Sequence, residues 1–192
     1  MFMTKTLSII AGPNGAGKTT ASLEVLPAIL DCEEFVNADE IARGLSPFHP
    51  EEVAIEAGKL QLKRIELLLS QNKTFAIETT LATRSYVSLI RRAIRQGYRI
   101  TLIFLALESP EYAEVRVQER VLHGGHNIPV NVIRRRFVNG LNNFFRLYKD
   151  MVDEWLFIDN THTPSVIIGK KQGGKEDILN KELYKKFEEY GK

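Results

Sequence analysis

The stretch that decides the fold is Gly12-Pro13-Asn14-Gly15-Ala16-Gly17-Lys18-Thr19. It follows the apolar run Leu7–Ala11, which is typical of a buried strand, and it precedes Thr20–Leu26, which is typical of a helix. Strand, glycine-rich turn and helix, with the spacing G-x-x-x-x-G-K-T, make up a phosphate-binding P-loop. The full match in this context favours a nucleoside triphosphate site over a chance glycine turn.

The residue types in this stretch suit phosphate binding. Glycines let the backbone turn tightly and bring its N–H groups around phosphate oxygens, and the following helix N-terminus adds partial positive charge. Lys18 can reach the β- and γ-phosphates of ATP, and the Thr19 hydroxyl can ligate Mg²⁺. We therefore expect ATP to be bound by Gly12, Pro13, Asn14, Gly15, Ala16, Gly17, Lys18, Thr19 and Thr20.

Length and composition narrow the class of protein. The 192 residues fit one domain, which we expect to span 1–192. A net charge of +2 is too small to indicate nucleic acid or a membrane as a partner. Cys32 is the only cysteine, which excludes an intrachain disulfide framework and a multi-cysteine zinc site. Without a signal-peptide pattern or an apolar run of membrane-spanning length, the expected location is the cytoplasm.

Strands alternate with helices along the chain. The predicted strands are 7–11, 35–37, 74–77, 99–107, 155–159 and 166–168. The predicted helices include 40–43, 51–70, 85–96, a segment that ends near 122 and another that begins at 129. Gly169–Lys175 is predicted to be a polar loop, followed by a terminal helix that packs through Leu179, Leu183 and Phe187. The pattern predicts a three-layer α/β/α P-loop NTPase fold, with a mostly parallel sheet and helices on both faces.

Asp39 follows the second predicted strand, so it should emerge at the same edge of the sheet as the P-loop. A carboxylate there can take the proton from a substrate hydroxyl as that hydroxyl attacks the γ-phosphate, or it can hold Mg²⁺ through water. The alternative is that Asp39 only caps the short helix Glu40–Arg43. Residue type and location favour a catalytic role.

Glu78 and Thr80 leave the third predicted strand at the same edge. A carboxylate beside hydroxyl groups suits hydrogen bonding to a polyhydroxylated, sugar-like substrate. The equally plausible alternative is that Thr79 and Thr80 cap the next helix while Glu78 is a solvated strand end.

Two groups of arginines flank the glycine pair Gly124-Gly125. Arg116 and Arg120 lie four apart on one helix and can act together on a phosphate, whereas Arg134–Arg136 fan across a wide arc of the next helix. The glycines suggest a hinge in a helical lid over about 116–136, with Arg120 as its catalytic arginine. The alternative is a solvated basic face with surface ion pairs. For His126, a loop role or a phosphate contact is favoured over a metal site.

The P-loop, Asn37-Ala38-Asp39-Glu40, Glu78-Thr79-Thr80-Leu81 and the segment 124–129 together resemble the zeta toxin family of P-loop kinases. The resemblance implies a fold like that of adenylate kinase and chloramphenicol phosphotransferase, and phosphorylation of a UDP-N-acetylsugar by ATP. It implies that Asp39 is the general base, Lys18 the phosphate-binding lysine, and Glu78 and Thr80 sugar contacts. We also expect Asn37, Arg116 and His126 to contact the substrate.

Two departures from the family bear on the acceptor: the chain is shorter than the well-known toxins, and one arginine is missing. The family's toxins tend to carry an arginine two residues after the matching threonine, where this chain has Ala82. A housekeeping kinase therefore stays open beside a toxin, and an antitoxin partner would be a separate protein. Two further alternatives are a nucleic-acid end kinase, which needs a basic groove, and an ATP-binding switch that transfers no phosphate.

Overall fold

A seven-stranded sheet organises the computed structural model, which describes residues 5–29, 32–125 and 127–192, with the backbone alone for 24–29. The strands lie in the order β2-β3-β1-β4-β5-β6-β7. Their bounds are β1 (Thr6–Ala11), β2 (Phe35–Val36), β3 (Phe75–Thr79), β4 (Arg99–Ala106), β5 (Glu154–Asp159), β6 (Val166–Gln172) and β7 (Lys175–Ile178). All pairings from β2 to β5 are parallel, and β6 and β7 pair antiparallel. The predicted mostly parallel α/β sheet is confirmed.

Helices connect the parallel strands, as a parallel sheet requires. They are α1 (Lys18–Ile29), α2 (Ala38–Leu45), α3 (Ala54–Ser70), α4 (Tyr86–Arg95), α5 (Pro110–Leu122) and α6 (Val130–Asn143), and a further helix, α7 (Lys181–Tyr190), follows the last strand. A π-helical turn, Phe144–Tyr148, continues α6 without a break. Ser109 caps α5, with its hydroxyl accepting from the Tyr112 N–H at 3.1 Å. Among the described residues, no helix combines the length and hydropathy needed to cross a bilayer.

The main core lies on one face of the sheet. Side chains alternate between the faces of a strand, so Ile9 and Ile10 of β1 point in opposite directions. Ile9 joins the large cluster formed with α3, α4, α6 and α7, which includes Phe104, Phe157 and Phe187. Ile10 belongs to a small second cluster, and Ala21 of α1 borders the same cavity as Ile10. Helix α1 therefore covers the second face, and the helices form two layers around the sheet.

The C-terminal part of the chain departs from the prediction. The predicted loop Gly169–Lys175 is wrong, because β6 and β7 form a hairpin that turns at Gly173 and Gly174, both with positive φ. Backbone pairing sustains these strands although more than half of their residues are exposed. Leu179 lies before α7 and is 54% exposed, so its predicted packing role is wrong, whereas Phe187 is fully buried as expected.

Strand order determines where the functional residues meet. β1 lies between β3 and β4, so the P-loop at its carboxyl end lies between the carboxyl ends of those neighbours. In open α/β sheets, ligands bind at this edge, where connections diverge to the two faces. Residues that follow β2, β3 and β5 are brought to the same edge.

Candidate active site

Tight packing around its glycines fixes the P-loop. Gly12, Gly15 and Gly17 all have positive φ, which β-carbon-bearing residues rarely adopt. A β-carbon on Gly12 would lie 2.2 Å from the Leu105 carbonyl oxygen of β4. From the end of β5, the Asn160 amide donates to the Ala16 carbonyl at 2.8 Å. The loop is therefore held by two neighbouring strands as well as by its own turn.

A buried polar cluster lies directly below the loop. The Lys18 ammonium donates to the Pro13 carbonyl at 2.9 Å and lies 3.8 Å from Glu78 Oε1. The other oxygen of Glu78, Oε2, accepts from the Thr19 hydroxyl at 2.8 Å and from the Asn37 amide at 2.8 Å. Lys18 and Glu78 are 7% and 8% exposed at their side chains. Glu78 is thus bound into the P-loop, which excludes the solvated strand end considered above.

Burial is the main electrostatic influence on this cluster. It lowers the pKa of Lys18, although the nearby carboxylates of Glu78 and Asp39 act in the opposite direction. It raises the pKa of Glu78, although the Lys18 ammonium and the Thr19 hydroxyl favour the charged form. For both groups the loss of hydration outweighs the attraction between them.

The phosphate cavity lies over the P-loop, with a volume of about 370 Å³. Helix α5 contributes three side chains to its wall, Arg116, Glu119 and Arg120, and its C-cap residue His123 lines it as well. Both α5 arginines predicted to act on phosphate therefore face the P-loop. His126, which was predicted to contact the substrate, lies outside the described residues.

A second cavity, the acceptor cavity, has a volume of about 520 Å³ and adjoins the first. Asn14, Lys18, Asp39 and Glu78 line both cavities. The remainder of its wall includes polar groups from α3, from α6 and from the segment after β3, namely Gln61, Thr80, Thr83, Ser85, Arg135, Arg136 and Asn139. Thr80 therefore lies where a substrate contact was expected.

Asp39 occupies the first turn of α2 and is exposed at the junction of the two cavities. Its own N–H donates to the Asn37 side-chain oxygen at 2.8 Å, so Asn37, not Asp39, is the helix cap. The capping alternative for Asp39 is thus wrong. Asn37 lines the acceptor cavity, but its side chain serves the α2 cap and Glu78.

The structure separates the three consecutive arginines of α6. Arg134 pairs with Glu114 and Glu111 of α5, at 2.6 Å and 3.2 Å, and so joins the two helices of the predicted lid. Arg135 lines the acceptor cavity. Arg136 is half-buried, and its guanidinium donates to the P-loop side chain of Asn14 at 3.3 Å. Burial lowers the pKa of Arg136, which the facing Asp39 carboxylate opposes.

Sequence reasoning missed several lining residues, of which Gln61 and Tyr86 connect elements of the site. Gln61 is buried on α3, where its amide donates to the Val36 and Glu78 carbonyls at 3.5 Å and 3.4 Å. It thereby joins the ends of β2 and β3. Tyr86, at the start of α4, donates its hydroxyl to Gln61 at 3.4 Å. A signal for Gln61 existed, because it interrupts the apolar row of Ala57 and Ile65 at i, i+4 spacing.

The oxygen groups below the P-loop fit a magnesium ion. Mg²⁺ prefers oxygen ligands and usually takes only one or two from the protein, with waters and substrate phosphates supplying the rest. The Thr19 hydroxyl and the Glu78 carboxylate are adjacent and form such a pair. No group of three or more His, Cys, Asp or Glu side chains suited to a metal occurs in the described ranges.

Comparisons with known proteins give relatives of two kinds. The sequence profile described as "Zeta toxin" matches residues 2–181. A protein of Haemophilus influenzae, described as uncharacterized, is 26% identical over 126 residues, which are 66% of this chain and 88% of that protein.

Among solved structures, a complex of AvrRxo1-ORF1 and ORF2 with ATP contains a chain with a TM-score of 0.78 and 21% identity. That alignment covers 96% of this chain, which spans only 64% of the length of that chain. A structure from the PezAT toxin-antitoxin system of Streptococcus pneumoniae matches with a TM-score of 0.63 and 15% identity, covering 98% of this chain and 86% of that one. At these identities the likeness establishes a shared fold.

Proposed function

The chain belongs to the zeta toxin family. We propose that it is an ATP-dependent phosphotransferase, and that it phosphorylates a hydroxyl group of a nucleotide sugar such as a UDP-N-acetylsugar. The observation that carries this proposal is the junction of the two cavities at Asp39, Lys18 and Glu78. A phosphate donor bound on the P-loop and an acceptor in the neighbouring cavity would meet beside the Asp39 carboxylate. The polar wall of the acceptor cavity suits a polyhydroxylated molecule.

In the proposed mechanism, the Asp39 carboxylate orients the acceptor hydroxyl and takes its proton as the oxygen attacks the γ-phosphorus. Lys18, Arg116 and Arg120 face the phosphate cavity and stabilise the negative charge on the migrating phosphoryl group. Arg136 donates a hydrogen bond to the P-loop residue Asn14 and places a further positive charge on the side of the acceptor cavity. Thr80 and Asn37 belong to the acceptor wall.

Thr19 and Glu78 would hold Mg²⁺ in this site. The ion would neutralise charge on the donor phosphates. Burial raises the pKa of the Glu78 carboxyl. A cation beside this carboxyl would favour its charged form, so a bound Mg²⁺ ion would stabilise the carboxylate that holds it.

The same proposal covers the organisation of the chain and a partner. Residues 1–192 form one kinase domain, in which α5, α6 and the segment between them act as the lid.

An antitoxin encoded separately is the proposed partner, since structural relatives come from a toxin-antitoxin system and from a two-protein complex. Co-expression with the product of the adjacent gene, followed by native mass spectrometry, tests the partner: a stable complex supports it, and two free proteins contradict it.

The function is tested with purified protein, ATP-Mg²⁺ and a panel of nucleotide sugars, small hydroxyl compounds and oligonucleotides, with products read by mass spectrometry. We expect a monophosphorylated nucleotide sugar. Asp39→Asn should leave ATP binding intact and reduce product formation by about 10²–10⁴-fold, because it removes the general base. Glu40→Gln is the matched control, since Glu40 follows Asp39 on α2, pairs with Arg43 and lines neither cavity.

The possible outcomes separate the candidate functions. A phosphorylated oligonucleotide alone would replace the nucleotide sugar with a nucleic-acid end. Normal ATP binding without any phosphorylated product would favour an ATP-binding switch. Full activity of Asp39→Asn would contradict the proposed base.

A further inference from the structure

The segment Thr80–Ser85 forms one wall of the acceptor cavity but belongs to no helix or strand. Its local contacts include a hydrogen bond between the Thr83 and Ser85 hydroxyls at 2.7 Å and one from the Leu81 N–H to the Thr79 hydroxyl of β3 at 3.0 Å. Leu81 has a φ of 57°, in the left-handed region that non-glycine residues rarely adopt. A conformation of this kind persists only when surrounding structure imposes it.

The surrounding structure that imposes it is α6 with its π-helical extension. The Asn143 amide donates to the Leu81 carbonyl at 2.8 Å, and the Tyr148 hydroxyl donates to the Thr83 carbonyl at 2.7 Å. Both donors belong to buried residues. Burial raises the pKa of Tyr148 to about 12, so its hydroxyl keeps the proton that it donates at neutral pH.

Close approach of the helix backbone adds a third contact. A β-carbon on Gly140 would lie 2.6 Å from the Thr80 carbonyl oxygen, so only glycine permits this spacing. Gly140, Asn143 and Tyr148 therefore contact successive parts of the segment from one continuous piece of helix.

The same helix also contributes side chains to the wall of the cavity. Arg135, Arg136 and Asn139 of α6 line it one and two turns before Asn143, and Arg136 also reaches the P-loop at Asn14. One helix with its π-helical extension thus contacts the segment after β3, lines the acceptor cavity and reaches the P-loop.

We propose that Asn143 and Tyr148 are positioning residues for the acceptor, which hold the carbonyls of Leu81 and Thr83 so that the side chains of Thr80 and Ser85 face the bound hydroxyl compound. This inference rests on the proposed kinase function and assigns the residues that shape its acceptor site. Neither residue lines the cavity, so each acts through the segment that it holds.

The main test variant is Tyr148→Phe, which removes one hydrogen bond and keeps the buried ring. Tyr98→Phe is its matched control: Tyr98 is also buried, and its hydroxyl donates to the Lys73 carbonyl at 2.9 Å, in the loop before β3 and away from both cavities. Asn143→Leu is a second variant, which removes the other hydrogen bond at similar volume. For each protein, hydrogen–deuterium exchange of peptides covering 80–85 is measured beside the kinetics with ATP and UDP-N-acetylglucosamine.

We expect Tyr148→Phe to raise the KM for the acceptor about three- to tenfold, the range that one lost hydrogen bond supplies. The KM for ATP should stay within about twofold, because the P-loop contacts are unchanged. Exchange in 80–85 should accelerate by a similar factor, whereas Tyr98→Phe should change neither quantity.

Unchanged exchange in 80–85 for both Tyr148→Phe and Asn143→Leu would overturn the proposal. Equal increases in the KM values for ATP and acceptor would also overturn it, since they would indicate a general structural role. If the wild-type protein phosphorylates no compound of the panel, the proposed function fails, and the exchange measurement alone decides whether these residues hold the segment.

Discussion

Replacing Glu78 by glutamine tests which force dominates the buried cluster below the P-loop. The ion pair between Lys18 and Glu78 spans 3.8 Å, which corresponds to an attraction of about 4 kcal/mol at an effective dielectric constant of about 20. Removing the hydration of each ion costs several kcal/mol, so the two effects are similar in size. The pKa of Glu78 is raised and that of Lys18 is lowered, which means that desolvation prevails over attraction for both groups.

Glu78→Gln should therefore not behave like the loss of a favourable salt bridge. The glutamine carbonyl can accept from Thr19 and Asn37 as Oε2 does now, while the buried negative charge disappears. Because the raised pKa of Glu78 means that the folded state favours its uncharged form, we expect the variant to be at least as stable as the wild type at pH 7.5, even though Lys18 loses its carboxylate partner. For a chain of this length, each kcal/mol corresponds to about 2–4 °C in Tm.

The difference between the two proteins should depend on pH with a definite sign. The folded state raises the pKa of Glu78 above its ordinary 4.5, so it holds this proton to higher pH than the unfolded chain does. The contribution of Glu78 to stability is then complete below about pH 4.5 and decreases as the pH rises through the folded pKa. The advantage of Glu78→Gln should accordingly grow from pH 4.5 towards pH 7.5.

Urea denaturation followed by circular dichroism at a series of pH values measures this difference. Glu34→Gln is the control, because the pair of Glu34 with Arg64 is exposed and should contribute less than about 1 kcal/mol. A loss of about 3 kcal/mol or more in Glu78→Gln at pH 7.5 would refute the reasoning, since it would show that attraction exceeds desolvation. The variant should also need more Mg²⁺ for half-maximal activity if it keeps its fold, because a proposed ligand of the ion is gone.

Two further predictions replace glycines by alanine, one where the added β-carbon would clash and one where it would meet open space. Gly12→Ala should lower the free energy of unfolding by more than about 3 kcal/mol and abolish ATP binding, because its β-carbon would lie 2.2 Å from the Leu105 carbonyl oxygen at a φ of 146°. Chemical denaturation measures the stability and calorimetry measures ATP binding. A stable variant that binds ATP would contradict the prediction. Gly58 lies in the interior of α3, where an added β-carbon would meet open space, so Gly58→Ala should stabilise the protein by about 0.5–1 kcal/mol. The same change should weaken acceptor binding, because Gly58 lines the acceptor cavity. Gly44→Ala, also in open space but on α2 outside the cavity, should leave the KM for the acceptor unchanged, and an equal rise of that KM in both variants would argue against a steric effect at Gly58.

The arginines of α6 show how far sequence reasoning extends into the site. The sequence indicates a basic group after a glycine pair, but it leaves open which side chain reaches the phosphates. Arg134 pairs with α5 and Arg136 contacts Asn14, a difference that depends on where α5 and the P-loop lie in space. A rotation of 100° per residue separates neighbours on a helix, so their partners belong to different elements.

The sequence by itself determined the P-loop, the parallel strands before and after it, and the placement of Asp39 and Glu78 at one edge of the sheet. These features are local, because a strand, a turn and a helix are specified by about twenty consecutive residues and parallel strands end at a common edge. Only the tertiary structure decided that Glu78 binds to Lys18 and Thr19, that Arg136 reaches the P-loop, and that Asn143 and Tyr148 hold the segment after β3. Each of these contacts joins residues far apart in the chain, and their meeting depends on packing distances that no local pattern encodes.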